Sequence, residues 1–140
     1  MKVKITENKL FNSIYNYIDK TFNPSEMGWV YGVDEDEDGY PDIDKENENF
    51  LMFYKGDWLG EYDSDMVFFY YDNDYYNEND PSHKPFREKS PILEVLGEYG
   101  EDLDKMFDTH WKEPMKKWFE DNFNLPVKTV STYYNYEDYY

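Results

Sequence analysis

Acidic residues and aromatic rings are interleaved in this chain, and that combination limits what it can fold into. Residues 34–80 hold 17 Asp or Glu against Lys45 and Lys55, whereas the other 93 residues hold 15 acids against 12 bases. A tract so acidic is ordinarily disordered, because it has too little apolar surface to offset its chain entropy. This one contains FLMFY at 50–54 and MVFFYY at 66–71, runs of the residue types that pack well on a pleated sheet. Most of the formal charge of −18 is therefore expected on a folded, aromatic-rich element, where it sets up a one-sided negative field. Such a field repels nucleic acid and anionic membrane and attracts basic proteins or cations.

At 140 residues the chain fits a single domain, large enough for one core without staples. With no Cys, disulfides and thiolate metal sites are excluded, which favours a cytoplasmic setting. No stretch has the length and hydropathy of a signal h-region or a membrane span.

Leu10, Ile14, Tyr17 and Ile18 recur at helical spacing, with Thr6 as the expected N-cap, Ile5 and Leu10 as its staple, and Asn23-Pro24 as the stop. Strands are expected at 29–33 (WVYGV) and 50–54, closing a long hairpin across the acidic loop, and at 66–71 after a turn at Gly56-Asp57. Neither aromatic strand has a cleanly polar face, so one side should cover helices and the other should be greasy and tyrosine-rich. Residues 72–90 read as a long polar loop. Ser90-Pro91 looks like a cap followed by the first helical position, opening a helix through PILEVLGEYG. Leu103, Met106, Phe107, Trp111, Met115, Trp118 and Phe119 continue a helical stripe interrupted near Pro114, and VKTVSTY at 127–133 returns as a strand. The order predicts an α+β domain: an antiparallel sheet of about four strands with helices packed on one face.

The stretch DEDEDGYPD at 34–42 has calcium-loop spacing. Asp34, Asp36 and Asp38 take positions 1, 3 and 5, Gly39 the sharp turn, Tyr40 the carbonyl and Asp42 position 9. Up to that point it resembles EF-hand loops and the calcium repeats of thrombospondin type 3 modules. Position 12 is Lys45, with Asp44 and Glu46 one residue off on either side. Calcium is thus the one cofactor the sequence offers.

Enzymatic signatures are missing: His83 and His110 stand in no metal or nucleophile motif, and no GxSxG, phosphate loop or dinucleotide fingerprint occurs. A non-enzymatic binding protein is the expectation. Sixteen Tyr exceed what a small core absorbs, and rings among acids suit protein interfaces. Carboxylates on alternate strand residues lie about 6.6–6.8 Å apart, near the phosphate spacing of one DNA strand, so an acidic strand can occupy a nucleic-acid-binding cleft. Asp34, Asp36 and Asp38, or Asp63 and Asp65, take that spacing if extended, and Asp42, Asp44, Asp57, Glu61, Asp72 and Asp74 are expected on the same partner-binding face. Tyr40, Tyr62, Tyr70 and Tyr71 should add contact area.

The opening MKVKITENKL, with its KITExxL pattern, and the closing WFEDNFNLPVKTV resemble the ends of small proteins of tailed bacteriophages. That resemblance implies a viral protein in host cytoplasm, where acidic inhibitors imitate DNA to block defence or transcription factors. The alternative it implies is an accessory virion protein whose acidic loop holds calcium and whose YYNYEDYY end packs on neighbours.

Overall fold

Ile14, Ile18 and Phe22 recur every fourth residue and are fully buried, so they form the inward stripe of the first helix, α1 (Lys2–Phe22). It ends as expected, with Asn23 left-handed at φ 47° ahead of Pro24. Its start is earlier than Thr6, which lies inside the helix, because nothing in KVKIT breaks helical backbone. The computed structural model describes the backbone of residues 2–35, 37–38, 40–60 and 63–133, and their side chains apart from those of 2–7, 35 and 41–44.

Five strands follow in a sheet ordered as in the chain: β1 (Met27–Glu35), β2 (Pro41–Lys55), β3 (Asp65–Tyr71), β4 (Ile92–Leu96) and β5 (Thr129–Tyr133). The first four pair antiparallel, and β5 joins β4 in parallel, Leu93 opposite Val130. The sheet therefore has one strand more than expected and is mixed. The extra strand is β4: ILEVL follows Ser90-Pro91 as extended chain, and helix begins only at Gly97. Four of its five residues are buried, which removes the period-two signature of a strand and leaves a run that also suits a helix.

Two helices cross from β4 to β5: α3 (Gly97–Phe107) and α4 (Lys112–Phe123). The break falls at Asp108, whose φ is 56°, and not at Pro114. Pro114 sits in the first turn of α4, where its missing N–H costs no helical bond. The segment between β3 and β4, expected to be loop, contains two 3-10 turns and a short helix, α2 (Lys84–Lys89).

All the long helices lie on one side of the sheet. Phe53, Phe68, Tyr70, Leu93 and Val130 meet Leu103, Trp111, Met115, Trp118 and Phe119 in one buried cluster. Val67 and Phe68 are both buried because a bulge opposite Phe53 and Tyr54 turns consecutive residues inward. Polar atoms in this layer are paired: Trp118 Nε1 donates to Asp19 at 2.9 Å, tying α4 to α1, and Trp111 Nε1 donates to Asp104 at 2.8 Å. Replacing Phe119 by Ala is expected to cost ~3–5 kcal/mol in urea unfolding, since its ring packs on Phe53, Phe68, Tyr70 and Phe123. The same change at half-exposed Phe86 should cost less than ~1 kcal/mol.

Candidate functional site

The acidic stretch closes a hairpin, as expected, but the strands reach further into it than 33 and 50, so most of it is strand. From Leu51 onward β2 pairs with both β1 and β3, but before Phe50 β1 is its only sheet partner among the described residues. Residues 32–49 thus form a two-stranded arm extending beyond the five-stranded sheet, with nine acids against Lys45. Its base is built by side chains. Tyr31 pairs with Leu51 and Gly32 with Asn47, so residues 48–50 bulge out of register. Asn47 Oδ1 accepts from the Asn49 amide at 2.9 Å, and Asn47 Nδ2 donates to Asp34 Oδ1 at 3.0 Å. The Phe50 ring then lies across Gly32, where a Cβ would be 1.6 Å from Cδ1. Glycine is required there for the close approach.

The expected contact residues separate into two groups. Asp34 on β1, Asp38 in the turn and Tyr40, 69% exposed, belong to the arm. Asp72 and Asp74 stand at its base: Asp72 caps a 3-10 turn, and the Asp74 carbonyl accepts from Asn49 Nδ2 at 3.4 Å. Asp57, Asp63 and Asp65 lie at the other end of β2, beyond Lys55. Lys55 is six steps along the strand from Asn49, a span of about 20 Å, so residues 34–80 are not one continuous acidic face. Asp63 precedes β3 and Asp38 is in a turn, which removes the expected alternate-residue carboxylate ladder at both places. Asp36, Glu61 and Tyr62 lie outside the described residues, as do the side chains of Asp42 and Asp44, position 39 of the calcium spacing and residues 134–140 of the terminal tyrosine run. Among the described residues no three His, Asp or Glu side chains are grouped to hold a metal ion.

Tyr70 is not a contact residue. It shares a sheet face with Phe68, is 3% exposed, and its hydroxyl donates to the Pro126 carbonyl at 2.7 Å. Burial pushes its phenol up to about 12. Tyr71 points the opposite way, onto the helix-free face, where its ring stacks on Phe50 at 4.7 Å and meets Tyr75 at 5.0 Å. Tyr76 and Phe86 continue that layer, stacked at 5.5 Å. The greasy, tyrosine-rich second face foreseen from the strand patterns is therefore present.

Sequence reading missed Glu94 on this face, since ILEVL was assigned to a helix. Glu94 pairs across to Phe69 on β3 and Ser131 on β5. Burial among the rings raises its carboxyl from 4.5 to about 7, and burial followed by the Glu94 charge pushes the neighbouring Tyr71 phenol far above its ordinary range. A folded-state value above the unfolded one means that the native state holds the proton more tightly, so stability falls as pH rises from 4.5 towards 7 and levels off above it. Glu94→Gln is expected to flatten that slope. The variant should match the parent at pH 4 and exceed it by about 2–3 kcal/mol at pH 8 in urea unfolding. A parallel pH dependence in both proteins would assign the slope to other groups.

Comparison of the chain with protein-family models, with curated proteins and with solved structures yields no match.

Proposed function

We propose that the chain is a non-enzymatic binding protein whose acidic arm engages a basic, nucleic-acid-binding protein in place of DNA. The observation that supports this reading best is the arm itself: nine acids and one Lys on 18 residues, with β1 the only sheet partner of its second strand among the described residues, and clamped at its base by Phe50, Asn47 and Asn49. A tethered strand pair presents its charge in a fixed direction, so little chain entropy is lost on docking. Carboxylates then take the place of phosphates, and the net charge of −18 accelerates encounter with a positive cleft. Asp72 and Asp74 extend the charge at the arm's base, and Tyr40 supplies an exposed ring near its end. The resemblance of the chain ends to phage proteins makes a host defence or transcription factor the partner class, and inhibition by competition the outcome.

A basic DNA-binding partner, captured from host lysate and then purified, should bind with an affinity that falls steeply between 50 and 300 mM salt, and excess duplex DNA should displace it. Combining Glu37→Gln, Asp38→Asn and Glu46→Gln, which leaves the Asp34–Asn47 bond at the base intact, should slow association about tenfold without lowering Tm. Binding that persists in high salt and in excess DNA would rule the mimic out.

A further inference from the structure

The arm grows out of β1, which is an edge strand: among the described residues only β2 pairs with it. Exposed edges of this length invite another strand, and charge or covering side chains usually blunt them. On the helix-free face β1 is covered, because the rings of Tyr54 and Phe50 lie over Gly28 and Gly32. On the helix side it is open. There Trp29 pairs with Phe53 and Tyr31 with Leu51, and the two outer rings touch edge to face at 5.1 Å. Trp29 remains 49% exposed and Tyr31 37%.

Between these rings and the end of α4 runs a groove of about 320 Å³, walled by Phe123 and Leu125 and bordered by Glu48 on the arm side. Its volume falls in the range of ligand sites, and an exposed Trp beside a groove is the kind of residue that dominates binding energy when covered. Two further features decide what covers it. The groove runs beside an unpaired strand edge, which accepts extended backbone by adding a strand. It also leads into the arm with nine acids, which a second copy of this chain, itself at −18, is repelled from and a basic segment is drawn to.

We infer that β1 receives an extended segment of the basic partner as a sixth strand. Two apolar side chains, two residues apart, cover Trp29 and Tyr31, and Lys or Arg at the same spacing continue along the arm. This rests on the proposed function and adds to it a defined binding mode: the arm supplies attraction, and the groove beside β1 supplies anchoring and register.

The test uses the whole protein and capped ten-residue peptides carrying Ile-Thr-Ile next to alternating Lys and Thr, in both chain orders, with a Lys-Thr peptide lacking Ile as reference. Titration calorimetry at low salt should show one order binding at least tenfold more tightly than the reference. Trp29→Ala or Tyr31→Ser, each checked for an unchanged Tm, should erase that gain. N-methylation of one alternate set of peptide amides should abolish the gain, and methylation of the other set should leave it intact. Equal binding of all peptides, or a gain insensitive to both substitutions, overturns the strand-addition mode while leaving the acidic-arm reading standing. No binding even by the Lys-Thr reference peptide at low salt removes both. Sedimentation showing a dimer of the free protein that Trp29→Ala dissolves assigns the groove to a second copy and overturns the inference.

Discussion

The contact on which the rest of this molecule depends is between Phe68, on the central strand β3, and the aromatic side of α4. Phe68 meets Phe22, Phe53, Trp118 and Phe119, with ring centroids 5.1 to 6.2 Å apart. Through those four partners it joins α1, β2 and α4 into one layer. Rings at these separations gain from edge-to-face and offset contact beyond simple burial. Charge repulsion in a protein at −18 opposes compaction, so an unusually aromatic core is what allows the acids to be carried at all.

Acids in the two regions have different tasks. In the helical layer, Asp19 and Asp104 accept indole N–H groups, and Asp121 accepts from Tyr15 at 2.8 Å, which holds its carboxyl below the usual range. Asp19 and Asp104 thereby satisfy indole donors of buried rings that folding would otherwise strand away from water. On the arm, Asp34 takes part in the bulge through Asn47, and the remaining charge greatly exceeds what Lys45 can offset. Glu94 belongs to neither group: its position among the outer rings raises its carboxyl to about 7 and makes that face weaker as pH rises.

Where one local signal dominated, the sequence was legible. The stripe of Ile14, Ile18 and Phe22 marks α1, and the β-branched end marks β5. The aromatic runs at 50–54 and 66–71 mark β2 and β3, although β2 begins nine residues earlier than its first aromatic. The extension was hidden because PDIDKENEN has poor strand propensity, and its pairing with β1 and the Asn side chains that close the bulge are not local signals. β4 was misread because a strand buried on both faces has no alternation to detect. Tyr70 was misplaced for a related reason: parity separates it from Tyr71, but with both faces apolar parity alone does not tell which side the helices cover. Trp29 and Tyr31 show an i, i+2 aromatic pair in the sequence; that this pair stands on an edge strand depends on the sheet order, which no local pattern encodes.

The way the arm is attached has an evolutionary reading. Among the described residues, those of β2 before Asn49 have no sheet partner but β1, and none between Gly32 and Asn49 belongs to the core cluster. Substitutions, charge reversals or length changes near the tip therefore leave the Phe68 contacts untouched, and their effects should stay local. The base is not free in this way, because Gly32, Asn47 and Phe50 interlock. Selection can thus change the outer arm while the fold that carries it stays constant, with the bulge at its root as the boundary between the part free to vary and the fixed one.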